Sequence, residues 1–484
     1  MQTRKDQIQA HTFVMRRLAS AMVRANPDTP DTPVSRTSKG YLWGLVIGLF
    51  IGLVVFVIGV LFPAAKSDWR TPGTLVLVKG GGGRYLFLGD RLHPVLNETS
   101  ARLVAGDRMK VAEVKAKSLE STPRGAPLGL IGAPDVLPPA DRMKGGSWLA
   151  CATRTTTDTG ATAPVLTLAV GLGTGHPALD DRRGVVVSDP QGARHLLWDG
   201  RRLRLDDASE AVQALGYGNV PPIPVSDGFL NALPEGPTLA APDIPGRGAP
   251  ADPLAGAPAT VGQLFTGPSG DPYVLTGDGL APLTATGFDL LKGDPRTQRE
   301  AYDGAPVTPR PLGPDDLSAR SAGESPRPLA ALDGLPLTTP EARVTGADHA
   351  VCAGVTPDED TTRRTLTVVP AAELDGGPPA VQPGVTPSCT PADRIAVRPG
   401  TGALVQGLSG GDADATPYLV TDGGVKYPVP GAEAAAQLGY GGVEPQRVPT
   451  TLLRMLPTGP SLDPALMAKG GVVTPQGAPE QCLG

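Results

Sequence analysis

An uninterrupted run of 22 uncharged residues, Tyr41 to Phe62, constrains this chain more than any other feature. At about 1.5 Å per residue, a helix of this length crosses a hydrocarbon layer of about 30 Å. A buried core helix and a cleaved signal peptide are the alternatives. The apolar core of a signal peptide is usually only about 7 to 15 residues long and lies close to the amino terminus, whereas this run follows forty residues. The sequence therefore predicts one transmembrane helix from Tyr41 to Phe62.

Charged residues on the two sides of this run predict its orientation. Seven basic residues precede it and two follow it closely: Arg4, Lys5, Arg16, Arg17, Arg24, Arg36 and Lys39 before, Lys66 and Arg70 after. Because basic residues stay on the cytoplasmic side, we expect a cytoplasmic amino terminus and a single-pass protein of the cell membrane. Everything after Phe62 would then lie outside the cytoplasm, where disulfides persist. All four cysteines are on that side: Cys151, Cys352, Cys389 and Cys482.

Residues 1–40 are predicted to form a cytoplasmic helix and a linker. Apolar residues recur among polar ones from Lys5 to Ala25, without proline or glycine, and a proline-rich stretch follows. Arg16, Arg17 and Arg24 could contact anionic lipid or an acidic partner, or they could form a solvated face.

The composition of the chain narrows the class of protein. With 63 Gly, 54 Pro and only 4% aromatic residues, it favours short strands and many turns over long helices. The net charge is −5 and no long basic run occurs, which argues against a nucleic-acid partner.

An internal repeat organises the region after the membrane run. Leu196–Leu239 aligns with Leu419–Leu462 without a gap, and 18 of 44 positions are identical. Each copy predicts a strand, a tight Asp-Gly turn with positive φ, and a short helix that ends at the first glycine of a Leu-Gly-Tyr-Gly motif. Weaker copies of the opening half begin at Tyr85 and Tyr273. The predicted turn residues are Asp90, Asp199, Gly200, Asp278, Gly279, Asp422 and Gly423.

Four repeats are therefore predicted, with two cysteine-bearing hairpins between them. The repeats cover 71–134, 184–243, 261–335 and 401–466, and the hairpins lie in 144–180 and 340–400. Placed side by side, the hairpins would form a central antiparallel sheet in which Cys151 faces Cys352. We expect a disulfide between these two residues, with two buried free thiols as the alternative. Cys389 and Cys482 would remain as a second pair that pins the tail, 467–484, across the last repeat, unless both stay free.

The predicted fold is thus a β-rich α+β protein. A cytoplasmic helix and one transmembrane helix precede an extracytoplasmic domain, in which about four small strand-helix repeats flank the central sheet.

Several segments of the chain resemble one known family, EccB. They are the opening RKDQIQAHTFVMRRLASAMVRANPDTPDTP, the single span, ADRIAVRPGTGALV at Ala392–Val405, and YLVTDGGVKYPVP at Tyr418–Pro430. The resemblance covers essentially the whole chain. It implies a structural core subunit of the type VII (ESX) secretion membrane complex of mycobacteria and their relatives. The implied partners are EccC, EccD, EccE, a mycosin protease, further copies of the chain, and membrane lipid.

No residue is predicted to be catalytic or to bind a cofactor or metal. The glycines of Lys79–Arg84 join two predicted strands, whereas a phosphate-binding P-loop joins a strand to a helix. Gly171–Gly175 precedes His176-Pro177 where a dinucleotide-binding helix would begin. No Gly-x-Ser-x-Gly motif occurs, and His195 and His349 are interpreted as structural.

Two hypotheses about function follow. The first is an assembly subunit of the secretion complex. The alternative is an ATPase, with ATP implied only because the family is sometimes described as one, or a module that binds the cell wall.

Overall fold

A computed structural model describes residues 4–24, 33–61, 69–143, 145–156, 160, 162–173, 175–320, 332–357, 362–409, 412–413 and 416–475. The chain divides into two compact units, Met1–Thr71 and Pro72–Gly484. The predicted β-rich α+β fold is confirmed.

Within the described residues, the first unit contains the helices α1 (Arg4–Arg24) and α2 (Pro33–Leu61). Within α2, Lys39–Val57 is long and apolar enough to cross a membrane, and none of it is buried within the protein. Helix α2 begins at Pro33, so residues 33–40 are helical where a linker was predicted. Proline is well suited to the first turn of a helix because its missing N–H would have no partner there. Tyr41 lies in the apolar stretch, and Phe62 lies outside the described residues.

The second unit is built from short elements. In chain order, repeat 1 contains β1 (Thr74–Val78), β2 (Arg84–Leu88), β3 (Arg91–Pro94), α3 (Glu98–Ala105) and β4 (Lys110–Val114), followed by β5 (Gly129–Leu130). The first cysteine hairpin is β6 (Trp148–Thr156) and β7 (Thr162–Val170). Repeat 2 contains β8 (Arg183–Ser188), β9 (Arg194–Trp198), β10 (Arg201–Arg204), α4 (Ala211–Ala214), β11 (Ile223–Pro224) and α5 (Asp227–Asn231).

The second half of this unit follows the same order, with additions. A hairpin of β12 (Pro250–Leu254) and β13 (Ala257–Thr260) comes first. Repeat 3 contains β14 (Leu264–Thr266), β15 (Pro272–Thr276), β16 (Gly279–Pro282), α6 (Ala285–Gly293), α7 (Pro295–Ala301), β17 (Arg310–Pro311) and α8 (Pro314–Arg320). Next come β18 (Glu341–Ala342), the second cysteine hairpin of β19 (His349–Pro357) and β20 (Thr362–Pro370), and β21 (Arg394–Val397). Repeat 4 contains β22 (Gly402–Ser409), β23 (Asp412–Ala413), β24 (Tyr418–Thr421), β25 (Lys426–Pro428), α9 (Gly431–Gln437), β26 (Gln446–Pro449) and α10 (Thr450–Leu453), and α11 (Pro464–Met467) and β27 (Val472–Val473) follow.

All four repeats have one topology. Three antiparallel strands are followed by a helical crossover and a strand that pairs parallel with the first, and repeat 4 adds the short strand β23 beside β22. A parallel return needs a crossover connection, which the helix provides. The full arrangement is therefore present even in repeats 1 and 3, of which the sequence showed only the opening half.

The central sheet has the strand order β20-β19-β6-β7-β21. The two hairpins lie side by side, antiparallel, with Cys352 directly opposite Cys151. Strand β21 adds a parallel edge next to β7, so the sheet is mixed rather than purely antiparallel as predicted. The Asp393 side chain just before β21 accepts a hydrogen bond of 2.7 Å from the amide of Leu166 in β7.

Three large hydrophobic cores join different parts of this unit. Repeats 1 and 4 share one core, and repeats 2 and 3 share a second. A third core lies between the central sheet and repeats 2 and 4. Repeats 2 and 4 are therefore inner repeats, packed against both the central sheet and another repeat, and we call repeats 1 and 3 the outer repeats.

The order repeat, hairpin, repeat occurs twice along the chain. The two hairpins pair at the central disulfide, each half contributes one inner and one outer repeat, and each inner repeat packs on the outer repeat of the other half. The second unit is thus an internal duplication whose halves are interlocked.

One predicted turn residue differs from the structure. The positive φ of the last repeat turn falls on Gly424 (70°) rather than on Gly423, because this turn has one more residue than the turn at Asp199 and Gly200 (47° and 67°). The described part of the tail contacts both repeats of this pair, since Met467 packs in the core shared by repeats 1 and 4 and β27 runs parallel to β5.

Candidate assembly site

The central disulfide is the covalent centre of the outer unit. The Cys151 and Cys352 sulfurs are 2.07 Å apart, and the bond joins residues separated by 201 positions. Both side chains are fully buried, with Leu149, Ala350 and Val369 packed around them on the same face of the sheet. The bond therefore links one half of the duplication to the other at their shared sheet.

The opposite face of the central sheet supports the inner repeats. Trp148, Leu168 and Val351 are fully buried there and pack in the core shared with both inner repeats. Because both of its faces are covered, the central sheet is an interior layer of the unit rather than an exposed surface.

The second predicted cysteine pair is only partly described. Cys389 is disulfide-bonded, and Cys482 lies outside the described residues. Next to Cys389, the hydroxyls of Ser388 and Thr390 both donate to the carbonyl of Arg454, which follows α10. This segment is therefore held against repeat 4.

The predicted repeat turns do not converge on one site, but the turns of the inner repeats share a role. A Cβ added to Gly200 would lie 2.9 Å from Cβ of Arg364 in β20, and one added to Gly424 would lie 2.9 Å from Cγ2 of Ile395 in β21. Each inner turn thus contacts an edge strand of the central sheet. The glycines of the outer turns, Gly89 and Gly277, stand one position earlier in their turns than Gly200, and a Cβ added to either would meet open space.

The remaining turn residues act locally. Asp90 adopts a positive φ of 59° in the first turn. In the third turn, the amide of Asp278 donates a hydrogen bond to the Thr276 hydroxyl. Gly279, with a φ of 125°, begins β16. Asp422 accepts a 2.7 Å hydrogen bond from the amide of Gly400.

Two tyrosines of the Leu-Gly-Tyr-Gly motif have a role that sequence reasoning missed. The Tyr217 hydroxyl donates to the carbonyl of Pro340 (2.6 Å), and the Tyr440 hydroxyl donates to that of Pro138 (2.7 Å). Both accepting prolines lie between an outer repeat and a cysteine hairpin, in equivalent places of the two halves. Burial raises the pKa of both phenols, so the hydroxyls remain neutral donors. Their identity in the aligned copies was the available signal.

A buried ion pair that joins repeat 3 to the segment before it was also missed. Arg247 Nη1 lies 2.6 Å from Asp294 Oδ2, with both side chains almost completely buried, and also donates to the Thr297 hydroxyl. Arg247 Nη2 donates to the carbonyl of Pro242. Because the charges satisfy each other and hold α7 against the preceding loop, this pair has a structural role.

The histidines at positions 195 and 349 lie beside acidic residues. His195 Nε2 is 3.3 Å from Asp189 Oδ2 in the turn between β8 and β9. Burial would raise the pKa of Asp189, but hydrogen bonds from His195 and the amide of Ala193 outweigh it and lower that pKa. His349 Nδ1 is 2.9 Å from Asp348 Oδ1, and this hydrogen bond lowers the pKa of Asp348. The first contact lies in a turn whose amides also bond Asp189, whereas the second joins two exposed neighbouring residues.

The glycine-rich segment has the geometry of a hairpin. The amide of Val78 donates to the carbonyl of Gly83, and the glycines between them connect antiparallel strands β1 and β2. Across the part of the chain that the structure describes, no group of three or more His, Cys, Asp or Glu side chains could hold a metal ion.

The two pairs of repeats differ at their surfaces. In the pair of repeats 2 and 3, Gly293 of α6 lies so close to Ala214 that a Cβ there would be 2.3 Å from the alanine Cβ. In the pair of repeats 1 and 4, an open groove of about 460 Å³ lies between α3, α9 and α11. Leu103, Ala434 and Met467 line it, with Glu433 and Asp463 beside them. The duplication is therefore interlocked but not symmetric at its surface.

Comparison with known proteins assigns this architecture to a family. The profile of the family described as type VII secretion system ESX-1, transport TM domain B, matches residues 1–474. A relative from Mycolicibacterium smegmatis, named ESX-3 secretion system ATPase EccB3, is 30% identical over 492 residues, covering 97% of this chain and 91% of the relative. The protein of Mycobacterium tuberculosis named ESX-1 secretion system ATPase EccB1 is 28% identical over 483 residues, covering 96% and 94%.

Solved structures agree with this match. A chain of an intact ESX-5 inner membrane complex superimposes with a TM-score of 0.62 at 25% identity, covering 96% of this chain and 94% of that one. The EccB3 dimer from the ESX-3 core complex gives a TM-score of 0.60 at 27% identity, covering 81% and 100%. With a profile match over almost its whole length, this chain belongs to the EccB family of type VII secretion systems.

Proposed function

We propose that this chain is a structural subunit of a type VII secretion membrane complex, and that its outer unit is the surface on which other subunits assemble. The observation that carries the proposal is the match, over 96% of the chain, to a chain of an intact ESX-5 inner membrane complex. The expected partners are EccC, EccD, EccE and a mycosin protease. The solved EccB3 dimer supports self-association as well.

The same proposal includes a single-pass topology. The amino terminus lies in the cytoplasm and the repeats lie outside, because basic residues are concentrated before the apolar stretch Lys39–Val57. The disulfide in the second unit agrees with this, since such bonds persist outside the cytoplasm.

The geometry suits a scaffold. An assembly subunit must present several surfaces in fixed positions, and in this chain four repeats are held by shared cores around a covalently joined sheet. The buried hydroxyls of Tyr217 and Tyr440 bind the backbone, and the buried charges of Arg247 and Asp294 bind each other. The hydrogen bonds and the ion pair of these buried groups therefore stabilise the packing of the repeats.

Affinity purification from native membranes tests the proposal. A carboxyl-terminally tagged full-length chain should copurify with EccC, EccD, EccE and the protease at the mass of a large complex. A second arm uses the variant C151A/C352A, which should insert normally but recover less of the complex, because the two halves are no longer covalently joined. Recovery of the intact chain alone, from membranes that contain the other subunits, would contradict the proposal.

The word ATPase in the names of the relatives calls for a separate assay. Under the scaffold proposal, the purified full-length chain turns over ATP no faster than the same preparation carrying Lys79→Ala, which changes the residue beside the glycine turn. Turnover that copurifies with the chain and falls in a variant of a described residue would replace the scaffold proposal with an enzymatic one.

A further inference from the structure

Helix α1 leaves apolar side chains exposed, and apart from Phe13 on the opposite side (64% exposed) they gather on one side of the helix. Four residues spaced by seven, three and four positions fall on one side of the helix, with His11 beside them. Their exposed fractions are 63% for Ile8, 56% for Met15, 49% for Leu18 and 80% for Met22. A contiguous exposed apolar stripe is typical of a surface that contacts a membrane or another protein.

The charges of α1 are almost all of one sign. The helix contains five basic residues, Arg4, Lys5, Arg16, Arg17 and Arg24, and a single acidic one, Asp6. Lys5 and Arg16 are exposed and lie on the same side of the helix, next to the apolar stripe, and Arg17 lies farther round. A helix with an apolar stripe bordered by basic residues suits an anionic bilayer surface, where the stripe enters the headgroup region and the basic side chains meet the phosphates.

The position of α1 in the chain favours the same occupant. Only eight residues separate Arg24 from Pro33, the first residue of the helix that carries the apolar stretch. Eight residues reach at most about 29 Å when fully extended. A helix tethered this closely to a transmembrane span experiences a high effective concentration of lipid headgroups.

From these observations we propose that α1 binds the cytoplasmic leaflet as an interfacial helix, through the stripe Ile8, Met15, Leu18 and Met22 and the basic residues Lys5 and Arg16. The proposal rests on the proposed function, in which the amino terminus lies in the cytoplasm. Under this proposal the binding partner of residues 4–24 is anionic lipid. The alternative is that α1 binds an acidic surface of another subunit. Measuring the chain alone, in lipids of different charge, distinguishes lipid binding from binding to another subunit.

Hydrogen-deuterium exchange on the purified full-length chain in lipid nanodiscs tests this. Peptides within residues 4–24 should exchange at least about ten-fold more slowly in discs of phosphatidylcholine with about 30% phosphatidylglycerol than in phosphatidylcholine alone. Peptides from β6 and β19 should exchange equally in both and serve as internal controls. At about 0.5 M NaCl the difference should shrink, because salt screens the headgroup charge.

Two matched variants separate charge from helix stability. K5Q/R16Q removes two charges and should lose the lipid dependence, whereas K5R/R16K keeps them and should retain it. Equal exchange in both lipids, or protection that appears only when the other subunits are added, would overturn the proposal. Because the chain is tested alone, either outcome leaves copurification with the complex as a separate question.

Discussion

The inner and outer repeats have the same topology but differ in how much of their sequence they keep in common. The inner pair, repeats 2 and 4, has 18 identical residues in 44 aligned positions, whereas the outer pair shares only its opening half with them. Both inner repeats pack on the same central sheet as well as on another repeat. A repeat that packs against two neighbours tolerates few amino-acid substitutions, because protein interiors are close-packed. The difference teaches that similarity between repeats in this chain follows the number of surfaces each repeat buries.

Removing the central disulfide should have the largest effect on this arrangement. The chain-entropy model gives about 5 kcal/mol for a loop of about 200 residues, and removing native disulfides typically costs about 2–5 kcal/mol. We expect C151A/C352A to lower the free energy of unfolding of the detergent-solubilised full chain by an amount in this range. Alanine at both positions is chosen because it fits the small, apolar surroundings of this face, where Ala350 is a neighbour. A loss below about 1 kcal/mol would mean that the shared cores alone join the halves.

The repeat turns give the second comparison. Gly200 of an inner turn and Gly89 of an outer turn both have positive φ, 67° and 53°, but only Gly200 has a close neighbour. Gly89→Ala should cost about 1–2 kcal/mol for the left-handed backbone alone. Gly200→Ala should cost about 2–4 kcal/mol, since its methyl group also collides with Arg364. If both variants lose the same free energy of unfolding in denaturant, the contact between the inner turn and the central sheet does not contribute to stability.

The tyrosine bonds test whether the two halves are equivalent. Tyr217→Phe and Tyr440→Phe each remove one buried hydroxyl and leave a proline carbonyl without that donor, which should cost about 1–2 kcal/mol. The two losses should agree within about 0.5 kcal/mol. Tyr85→Phe, in an outer repeat, is the control and should change stability by less than about 0.5 kcal/mol. Loss at only one inner tyrosine would show that the halves differ in how they use the motif.

Alkaline pH should produce the smallest of these effects. Burial raises the folded-state pKa of Tyr217 and Tyr440 above the ordinary value of 10.0. Their contribution is therefore complete below pH 10 and declines as the pH rises above it, because the unfolded state releases the proton first. At a pH of about 10.5 each tyrosine should account for a loss of about 0.8 kcal/mol. The double variant Y217F/Y440F should show a shallower decline in unfolding experiments between about pH 9 and pH 10.5. An unchanged slope would contradict the assignment.

The sequence predicted those parts of the fold that have a strong local signal. The apolar stretch, the inner repeats and the two cysteine hairpins each carry a pattern of about ten residues or more, and each is present in the structure. The hairpin of β12 and β13 was missed because its strands, PADPL and APAT, combine proline and alanine without an alternating pattern. Proline is depleted in strands, so this composition predicts a loop.

Long-range contacts of single residues could not be predicted at all. The pairing of β27 with β5 joins two residues to two others far away along the chain, and neither dipeptide has a pattern of its own. The same holds for the bond from Tyr440 to Pro138, since both ends are ordinary buried or loop residues until the fold brings them together. The start of α2 at Pro33 was missed because apolar content, rather than helix capping, defined the predicted span.

The most direct test of the central claim, that the inner repeats and the central sheet form the rigid centre of the scaffold, is native-state hydrogen exchange of the oxidised full-length chain. We expect amides of β6, β19 and the first strands of the inner repeats, β8 and β22, to exchange only through global unfolding, with a denaturant dependence equal to that of the whole unit. Amides of β2 and β15 in the outer repeats should exchange earlier, through local opening. Outer-repeat amides that are protected as strongly as those of the central sheet, or central amides that exchange first, would contradict this claim.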